Sequence, residues 1–296
     1  MQRYSFVIAD VFTETLFSGN QLAVFTDARG LTPQQMQNIA REFNFAETTF
    51  VLPVEAGRPR PVIRIFTPRM ELPFAGHPTI GTAAVLSFLQ LSPAADADGA
   101  VIYEEMIGPI GLRVSPAQDR TVFAELEIAA PLAMGPAADV AALATAIGAA
   151  QSTIRTSWCA GIGIPFCFVH LQNDRAVDAA VIDRQVWASR LSAQPSQVFL
   201  FAGDFEDGGT LYARMLAPAL GIDEDAATGS ACVGLIASLA GRNPQCEATL
   251  GLTIHQGVAM GRPSLLRVHA RRLDGGQYRV RLGGNSVIVA EGSIAV

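Results

Sequence analysis

Two ionisable residues precede similar runs of small residues, one in each half of the chain. His77 lies four residues before Gly81 in PFAGHPTIGTAAVL. Asp225 lies four residues before Gly229 in DEDAATGSA. Each run has the composition of a closely packed helix, so each ionisable group is predicted at a helix start, where free backbone N–H groups attract anions. The matched placement indicates two groups that act on a small carboxylated molecule.

A third candidate is Glu47, in the apolar stretch NFAETTFV. Strand alternation puts its side chain on the same face as Thr49 and Val51, which predicts a carboxyl group held against apolar surface. Burial disfavours the ionised form and raises the pKa of a carboxyl group. Such a group can therefore exchange protons near neutral pH.

Each candidate also has a purely structural interpretation. Asp225 can cap the following helix or complement its dipole. A histidine between glycine and proline can serve packing alone, and Glu47 can be an exposed glutamate at a sheet edge. Thr228 and Ser230 are ordinary first-turn residues. The matched placement of His77 and Asp225 favours a functional role for both.

The composition excludes several classes of protein. The net charge is -6 and no basic run is longer than Arg271-Arg272, so nucleic-acid binding is not predicted. All 21 basic residues are arginine, which excludes a Schiff-base lysine and a phosphate-loop lysine. The apolar run at residues 129–150 is interrupted by Pro131 and Pro136, so it predicts a helix starting near Asp139 rather than a membrane span.

The four cysteines, Cys159, Cys167, Cys232 and Cys246, form no C-x-x-C pair and no zinc-ligand spacing with histidine. No metal site is predicted. Without a recognisable signal peptide, we expect reduced thiols and a cytoplasmic location. Cys232 is expected to be a buried small hydrophobe, and Cys159 is a possible nucleophile with no general base nearby in sequence. Neither a dinucleotide fingerprint nor a G-x-S-x-G elbow is present.

The order of predicted elements repeats along the chain. RIFTP (64–68) matches RMLAP (214–218) at an offset of 150, and GTAAV (81–85) matches GSACV (229–233) at an offset of 148. In each half, a strand, a helix and two strands precede the small-residue helix. The repeat predicts a duplicated α+β fold of two pseudo-symmetric domains, each with a sheet or barrel wrapped around a central helix.

The length of 296 residues favours two domains. We expect an N-terminal domain over residues 1–117, completed by the last strand at about residues 285–296, and a C-terminal domain over residues 118–284. The division falls in the polar stretch SPAQDR. A cleft between two such halves is the expected place for a small-molecule site.

Five stretches of the sequence resemble, in the same order, the phenazine-biosynthesis PhzF-like isomerase family. They are DVFTETLFSGNQLAVF, AETTFV, RIFTPRMELPFAGHPTIGTA, DEDAATGSA and HQGVAMGRPS. The resemblance implies a diaminopimelate-epimerase-like fold and a homodimer. It also implies an isomerase that needs no cofactor. In the namesake enzymes, a glutamate moves a proton between ring carbons of trans-2,3-dihydro-3-hydroxyanthranilate.

The resemblance assigns the acid/base role to Glu47. It gives supporting roles around the carboxylate and amino groups of the substrate to His77, Asp225 and Ser230. It also implies that substrate binding involves Asn20, Gly76 and Gly229. Related racemases use two cysteines at the helix starts, so the side chains found here do not predict a two-thiol racemase.

The sequence therefore predicts a cofactor-independent isomerase that moves a proton between carbons of a small carboxylated, amino-bearing metabolite. No membrane partner is expected. Two other functions stay open. One is a racemase, epimerase or dehydratase of amino or hydroxy acids, and the other is a non-catalytic small-molecule-binding or interaction module on the same fold. Proton exchange at a substrate carbon separates the enzymes from the binding module.

Overall fold

The computed structural model describes residues 2–57, 59–191, 197–205, 208–242 and 249–296. The chain divides into two compact units, unit 1 (Met1–Glu127 with Gly283–Val296) and unit 2 (Ile128–Leu282). It passes from one unit to the other within strands β8 (Thr121–Pro131) and β17 (Gln277–Ala295). The first division lies ten residues after the boundary expected from the sequence, because residues 124–126 of β8 pair with the preceding strand of unit 1.

Unit 1 surrounds one helix with strands. In chain order its elements are β1 (Arg3–Val11), β2 (Asn20–Phe25), α1 (Pro33–Phe43), β3 (Glu47–Leu52), β4 (Val62–Phe66), β5 (Glu71–Leu72), α2 (Gly76–Phe88), β6 (Val101–Glu105) and β7 (Gly108–Val114), followed by β8. β2 pairs with β3, and β4 with β6, in parallel, whereas β1–β2, β3–β4, β4–β5 and β6–β7 are antiparallel. The end of β17 pairs with β1. α2 contacts β1, β2, β3, β4 and β7, so it is the central helix of the unit.

Unit 2 has the same plan. In chain order its elements are β9 (Ala133–Met134), α3 (Val140–Ala146), β10 (Ile154–Gly161), β11 (Phe166–Leu171), α4 (Asp174–Asp178), α5 (Arg184–Arg190), β12 (Val198–Gly203), β13 (Gly209–Ala217), β14 (Ile222–Asp225), α6 (Gly229–Arg242), β15 (Leu250–Gln256) and β16 (Ser264–Arg272). β11–β12 and β13–β15 are parallel, and β10–β11, β12–β13, β13–β14 and β15–β16 are antiparallel. The central helix is α6, which contacts β10, β11, β15 and β16.

The two units repeat one succession of strand pairings, so the predicted α+β fold with an internal duplication is confirmed. In both units a bidentate arginine–carboxylate pair holds the hairpin before the central helix. Arg64 donates to the two oxygens of Glu71 at 2.7 Å each, and Arg214 donates to those of Glu224 at 2.9 and 2.8 Å. Charge assistance makes such forked pairs strong. The arginines are those matched in RIFTP and RMLAP, which confirms that part of the repeat.

The predicted alignment of the two central helices is wrong by five residues. Each helix begins five residues after the paired glutamate, α2 at Gly76 and α6 at Gly229, which is an offset of 153. Gly81 then corresponds to Gly234. A Cβ atom on Gly81 would lie 2.5 Å from a valine methyl of β1, and one on Gly234 would lie 3.2 Å from the backbone of β10. Helices rich in alanine and glycine match in several registers, whereas the preceding hairpin determines where each one starts.

Side-chain caps mark the starts of two other helices. Thr32 caps α1, where its hydroxyl accepts from the N–H of Gln35 and the side chain of Gln35 bonds back to the N–H of Thr32. Asp139 caps α3, as predicted, by accepting from the N–H of Ala142 at 3.0 Å. Within the described ranges, no helix has the length and apolar character needed to cross a membrane.

The cysteines differ from the prediction. Cys159 and Cys167 stand directly opposite each other on β10 and β11, with Cα atoms 4.2 Å apart, and form a disulfide. The expectation of reduced thiols is therefore wrong for this pair, and Cys159 is not a free nucleophile. The hairpin register, which the sequence spacing does not reveal, brings the two sulfurs together. Cys232 is a buried free thiol, as predicted, and burial raises its pKa. Cys246 lies outside the described residues.

Candidate active site

Glu47 and His77 meet in unit 1. Glu47 is the first residue of β3 and is held in register by pairing with Leu22 of β2. His77 is the second residue of α2. The Nδ1 atom of His77 lies 3.4 Å from Oε2 of Glu47, and the two side chains are 6% and 15% exposed, respectively. A carboxyl group and an imidazole are thus adjacent and largely withdrawn from solvent.

His77 is neutral at physiological pH. Burial lowers its pKa to about 3, and a hydrogen bond with the backbone of Gln21 opposes this effect only in part. The contact with Glu47 is therefore between a carboxyl group and a neutral ring and is not an ion pair. Nε2 of His77 is buried and has no hydrogen-bond partner among the described residues. An atom of this kind is suited to bind a ligand, because a buried polar atom normally has a partner.

The first turn of α2 has no side-chain cap. The residue before the helix is Ala75, which is extended and has no side-chain acceptor. By position, the N–H groups of Gly76 and His77 have no partner within the helix. Both residues are buried. This helix start can accept an anionic group such as a carboxylate.

Asn20 has a defined place in unit 1. It is the first residue of β2 and is 5% exposed. The preceding Gly19 has φ +65°, and a Cβ atom at this position would collide with the carbonyl oxygen of Val11. The N–H of Phe17 donates to Oδ2 of Asp10 at 2.7 Å, which anchors the loop before Asn20. Contact of Asn20 with a substrate stays a prediction.

Asp225 lies in unit 2 within a dense hydrogen-bond network. It ends β14, and its Oδ2 accepts from the hydroxyl of Thr228 at 2.6 Å. Gln256 is fully buried and joins both residues. Its Nε2 donates to the carbonyl oxygen of Asp225 at 2.8 Å and to the hydroxyl of Thr228 at 3.0 Å, while its Oε1 accepts from the N–H of Thr228 at 3.1 Å. The segment before α6 is therefore held by the hydroxyl of Thr228 and the amide of Gln256, neither of which titrates near neutral pH.

The corrected register of the helices changes the predicted pairing of His77 with Asp225. His77 is the second residue of α2, and the second residue of α6 is Ser230, which is half-buried. Asp225 precedes α6 by four residues. Gly76 and Gly229 correspond as the first residues of the two helices. Glu47 and His77 meet in unit 1, whereas Asp225, Gly229 and Ser230 belong to unit 2, and their joint action on one substrate stays a prediction.

Two residues of these networks, Gln256 and Glu105, were not predicted. Gln256 ends β15, the strand after α6, and Glu105 ends β6, the strand after α2. Oε1 of Glu105 lies 2.6 Å from the hydroxyl oxygen of Thr79 in the first turn of α2. Gln256 lies in the motif HQGVAMGRPS, which was an available signal. Glu105 could have been found by extending the internal repeat to the strands that follow the central helices. Across the described ranges, no group of three or more histidine, cysteine or acidic side chains is arranged to hold a metal.

Comparison with known proteins covers the entire chain. The model of the family described as phenazine biosynthesis-like protein matches residues 9–292. An uncharacterized isomerase of Mesorhizobium japonicum is 36% identical over 310 aligned positions, with 100% of both chains covered. A trans-2,3-dihydro-3-hydroxyanthranilate isomerase of Pseudomonas fluorescens is 36% identical over 296 positions, covering 99% of this chain and 100% of its own. The crystal structure of a PhzF-family phenazine biosynthesis protein from Bacillus anthracis superposes with a TM-score of 0.87 at 22% identity and covers 100% of both chains.

Proposed function

The chain belongs to the phenazine biosynthesis-like protein family, which is a family of isomerases, and on this premise we propose that it moves a proton between carbons of a small carboxylated, amino-bearing metabolite. Glu47 carries the proton, and no cofactor takes part. The observation that supports this role is the buried contact of 3.4 Å between Glu47 and His77. Because relatives that match the whole chain include an isomerase named for such a molecule, the same substrate class is proposed here.

The neutral state of His77 suits an acid/base role for Glu47. A cationic imidazole at this distance would hold the carboxylate as an ion pair and favour its ionised form. The pKa of His77, lowered to about 3, prevents this at physiological pH. Glu47 can then accept a proton from one carbon and return it to another.

The proposed binding groups follow from the helix starts. The N–H groups of Gly76 and His77 are assigned to the substrate carboxylate, because that turn of α2 is buried and has no side-chain cap. Asp225 is assigned to a substrate amino group, since its carboxylate is held by a hydroxyl donor from Thr228. Asn20, Gly229 and Ser230 are assigned supporting contacts. A homodimer is proposed from the sequence resemblance, and a cytoplasmic location stays a prediction. Analytical ultracentrifugation tests the first and cell fractionation the second.

The test is carbon-bound proton exchange in D₂O, followed by NMR with a panel of small cyclic and acyclic amino and hydroxy acids. We expect deuterium to enter one carbon of a substrate while its double bond moves. The variant Glu47→Gln should remain folded and lose this exchange. The matched control is Glu42→Gln, which makes the same change at an exposed position of α1.

Other outcomes would contradict the proposal in distinct ways. Inversion at a carbon without bond migration would identify an epimerase. Ligand binding with no exchange across the panel would identify a binding module. Undiminished exchange in Glu47→Gln would show that Glu47 does not carry the proton, and would leave the assignment to the isomerase class intact.

A further inference from the structure

Glu105 is a buried carboxyl group, and no charged side chain contributes to the shift of its pKa. Its residue is 4% exposed, and its Oε2 has no hydrogen-bond partner in the described part of the chain. Its Oε1 lies 2.6 Å from the hydroxyl oxygen of Thr79. The same hydroxyl oxygen lies 2.7 Å from the carbonyl oxygen of Ala75, the residue before α2. Glu105 is therefore connected to the start of the helix that carries His77.

The two short contacts of the Thr79 hydroxyl depend on the charge state of Glu105. The hydroxyl of Thr79 has one proton, and the carbonyl oxygen of Ala75 can only accept. If Glu105 is a carboxylate, one of the two short contacts has no hydrogen between its oxygens. If Glu105 is a neutral acid, it donates to Thr79, and Thr79 donates to Ala75. Both contacts are hydrogen bonds only when Glu105 is protonated.

The surroundings of Glu105 support its neutral form. Burial raises its pKa to about 7, even where the hydroxyl of Thr79 donates to the carboxylate and so favours the ionised form. The titratable groups on the elements packed against it are Tyr103 and Glu104 of its own strand, His77 of α2, Arg64 of β4 with its partner Glu71, and Arg113 of β7. Glu104 points to the opposite face of the strand, where its carboxylate lies 3.5 Å from Arg60. Tyr103 and His77 are neutral near pH 7, because burial raises the pKa of Tyr103 to about 12 and lowers that of His77 to about 3. Arg64 is neutralised by Glu71, and Arg113 is exposed.

Unit 2 satisfies the corresponding position with a group that cannot ionise. Gln256 ends β15, as Glu105 ends β6, and both strands pair in parallel with the first strand of the hairpin that precedes the central helix. The amide of Gln256 donates to the hydroxyl of Thr228 at 3.0 Å. A neutral Glu105 would make the same kind of donation to Thr79. In both units the end of this strand thus bonds to a threonine hydroxyl at the helix start, although Thr228 precedes α6 and Thr79 is the fourth residue of α2.

We propose that Glu105 is a positioning residue that acts as a neutral acid, donates to Thr79 and holds the first turn of α2, and that its ionisation releases this turn. Where the proposed isomerase function holds, the release displaces His77 from Glu47 and limits activity on the alkaline side. The structural switch itself does not depend on that function.

The test follows the amide proton of Thr79. The amide nitrogen donates to the carbonyl oxygen of Ala75, with 3.3 Å between the nitrogen and the oxygen. Its hydrogen-exchange protection factor, corrected for intrinsic exchange, is measured from about pH 5.5 to about pH 8.5. We expect protection to fall about tenfold across this range in the wild type, as for the loss of one hydrogen bond. In Glu105→Gln it should stay constant, because the amide donates at every pH. Infrared difference spectra should show a protonated carboxyl band in the wild type that Glu105→Gln removes.

The matched control is Glu104→Gln, which makes the same change at the neighbouring residue of β6, whose side chain is 40% exposed. It should reproduce the wild-type pH dependence. A second variant, Thr79→Val, removes the hydroxyl and should also abolish the pH dependence, which keeps the test decisive if Glu105→Gln does not fold. The proposal would be overturned if protection of the Thr79 amide does not change with pH in the wild type. It would also be overturned if Glu105→Gln or Thr79→Val keeps the wild-type pH dependence.

The activity profile separates the two proposals. If a substrate is found, kcat of the wild type should decline above about pH 7, and this decline should be absent in Glu105→Gln. A wild-type decline that persists in Glu105→Gln would refute the positioning role while leaving the isomerase intact. If no substrate is turned over, the proposed function fails, and the exchange measurement still decides the switch.

Discussion

At the start of α2 the following strand contributes an ionisable carboxyl group, Glu105, whereas at the start of α6 it contributes a neutral amide, Gln256. Both bond to a threonine hydroxyl, and the two units otherwise repeat the same strand pairings and the same arginine–glutamate pair. Unit 1 also has Glu47 at the first position of β3, whereas the strand pairing of unit 2 puts Gln197, the residue before β12, at the corresponding position.

The two helix starts differ in the kind of polar group that surrounds them. Around α2, unit 1 gathers the contact of Glu47 with His77 and two buried groups with strongly shifted pKa values, His77 and Glu105. Unit 2 surrounds one carboxylate, Asp225, with donors and acceptors whose charge does not change between pH 5 and 8. A duplicated fold can thus surround one helix start with buried titratable groups and the other with polar groups that do not titrate.

The largest effect is expected for Glu47→Gln, which should lower kcat by about 10²–10⁴-fold, because a positioned acid/base group contributes that much. Asp225→Asn should act mainly on KM, since its role is to bind. Steady-state kinetics of both variants, with Glu42→Gln as control, check this prediction. A loss of kcat in Asp225→Asn as large as that in Glu47→Gln would abolish the distinction between the units.

The second effect concerns the framework of unit 2. Gln256→Leu should destabilise the protein by about 3 kcal/mol, because it leaves the N–H of Thr228 and the carbonyl oxygen of Asp225 without their buried partner. Chemical denaturation measures the loss. The control Gln277→Leu, at an exposed position, should change the free energy of unfolding by less than about 0.5 kcal/mol. Equal stability of the two variants would show that the network of Gln256 is not important for folding.

The third effect is on the pH dependence of stability, where His77 and Glu105 act in opposite directions. The pKa of His77 in the folded protein, about 3, lies below its ordinary value of 6.5. Its stabilising contribution to folding is therefore present above pH 6.5 and is lost as the pH falls. The folded pKa of Glu105, about 7, lies above 4.5, so its contribution is present below pH 4.5 and is lost as the pH rises through 7.

Between pH 7 and pH 5 each contribution changes by about 2 kcal/mol, and the two nearly cancel. His77→Asn should therefore gain stability on acidification relative to the wild type, and Glu105→Gln should lose it. Urea denaturation at both pH values measures these differences. Parallel pH curves for the two variants would contradict the assignment of shifted pKa values to unit 1.

The smallest effect compares the equivalent glycines of the central helices. Gly81→Ala should cost about 1–2 kcal/mol, because its Cβ would lie 2.5 and 2.6 Å from side-chain atoms of Val11 and Leu22. Gly234→Ala meets its nearest atom at 3.2 Å and gains helix propensity, so it should change stability by less than about 1 kcal/mol. Thermal unfolding of both variants decides. The reverse order would show that α6, rather than α2, is the more closely packed helix.

The local sequence determined much of this protein. The cap at Thr32, the cap at Asp139 and the repeated arginines Arg64 and Arg214 act through residues close by in the chain or through a pattern that occurs twice. Glu47 and His77 could be nominated because an acidic group beside apolar residues and a histidine near a helix start each carry a chemical signal in their neighbours.

Only the tertiary structure decided which of these residues meet. The register of α2 against α6, the Cys159–Cys167 disulfide and the bonds of Glu105 and Gln256 depend on strand pairing between distant segments. Alanine- and glycine-rich helices are nearly degenerate in sequence, so their alignment needs the hairpins that precede them. The proton balance at Thr79 likewise required distances between segments far apart in the chain, because a hydroxyl can serve only one acceptor at a time.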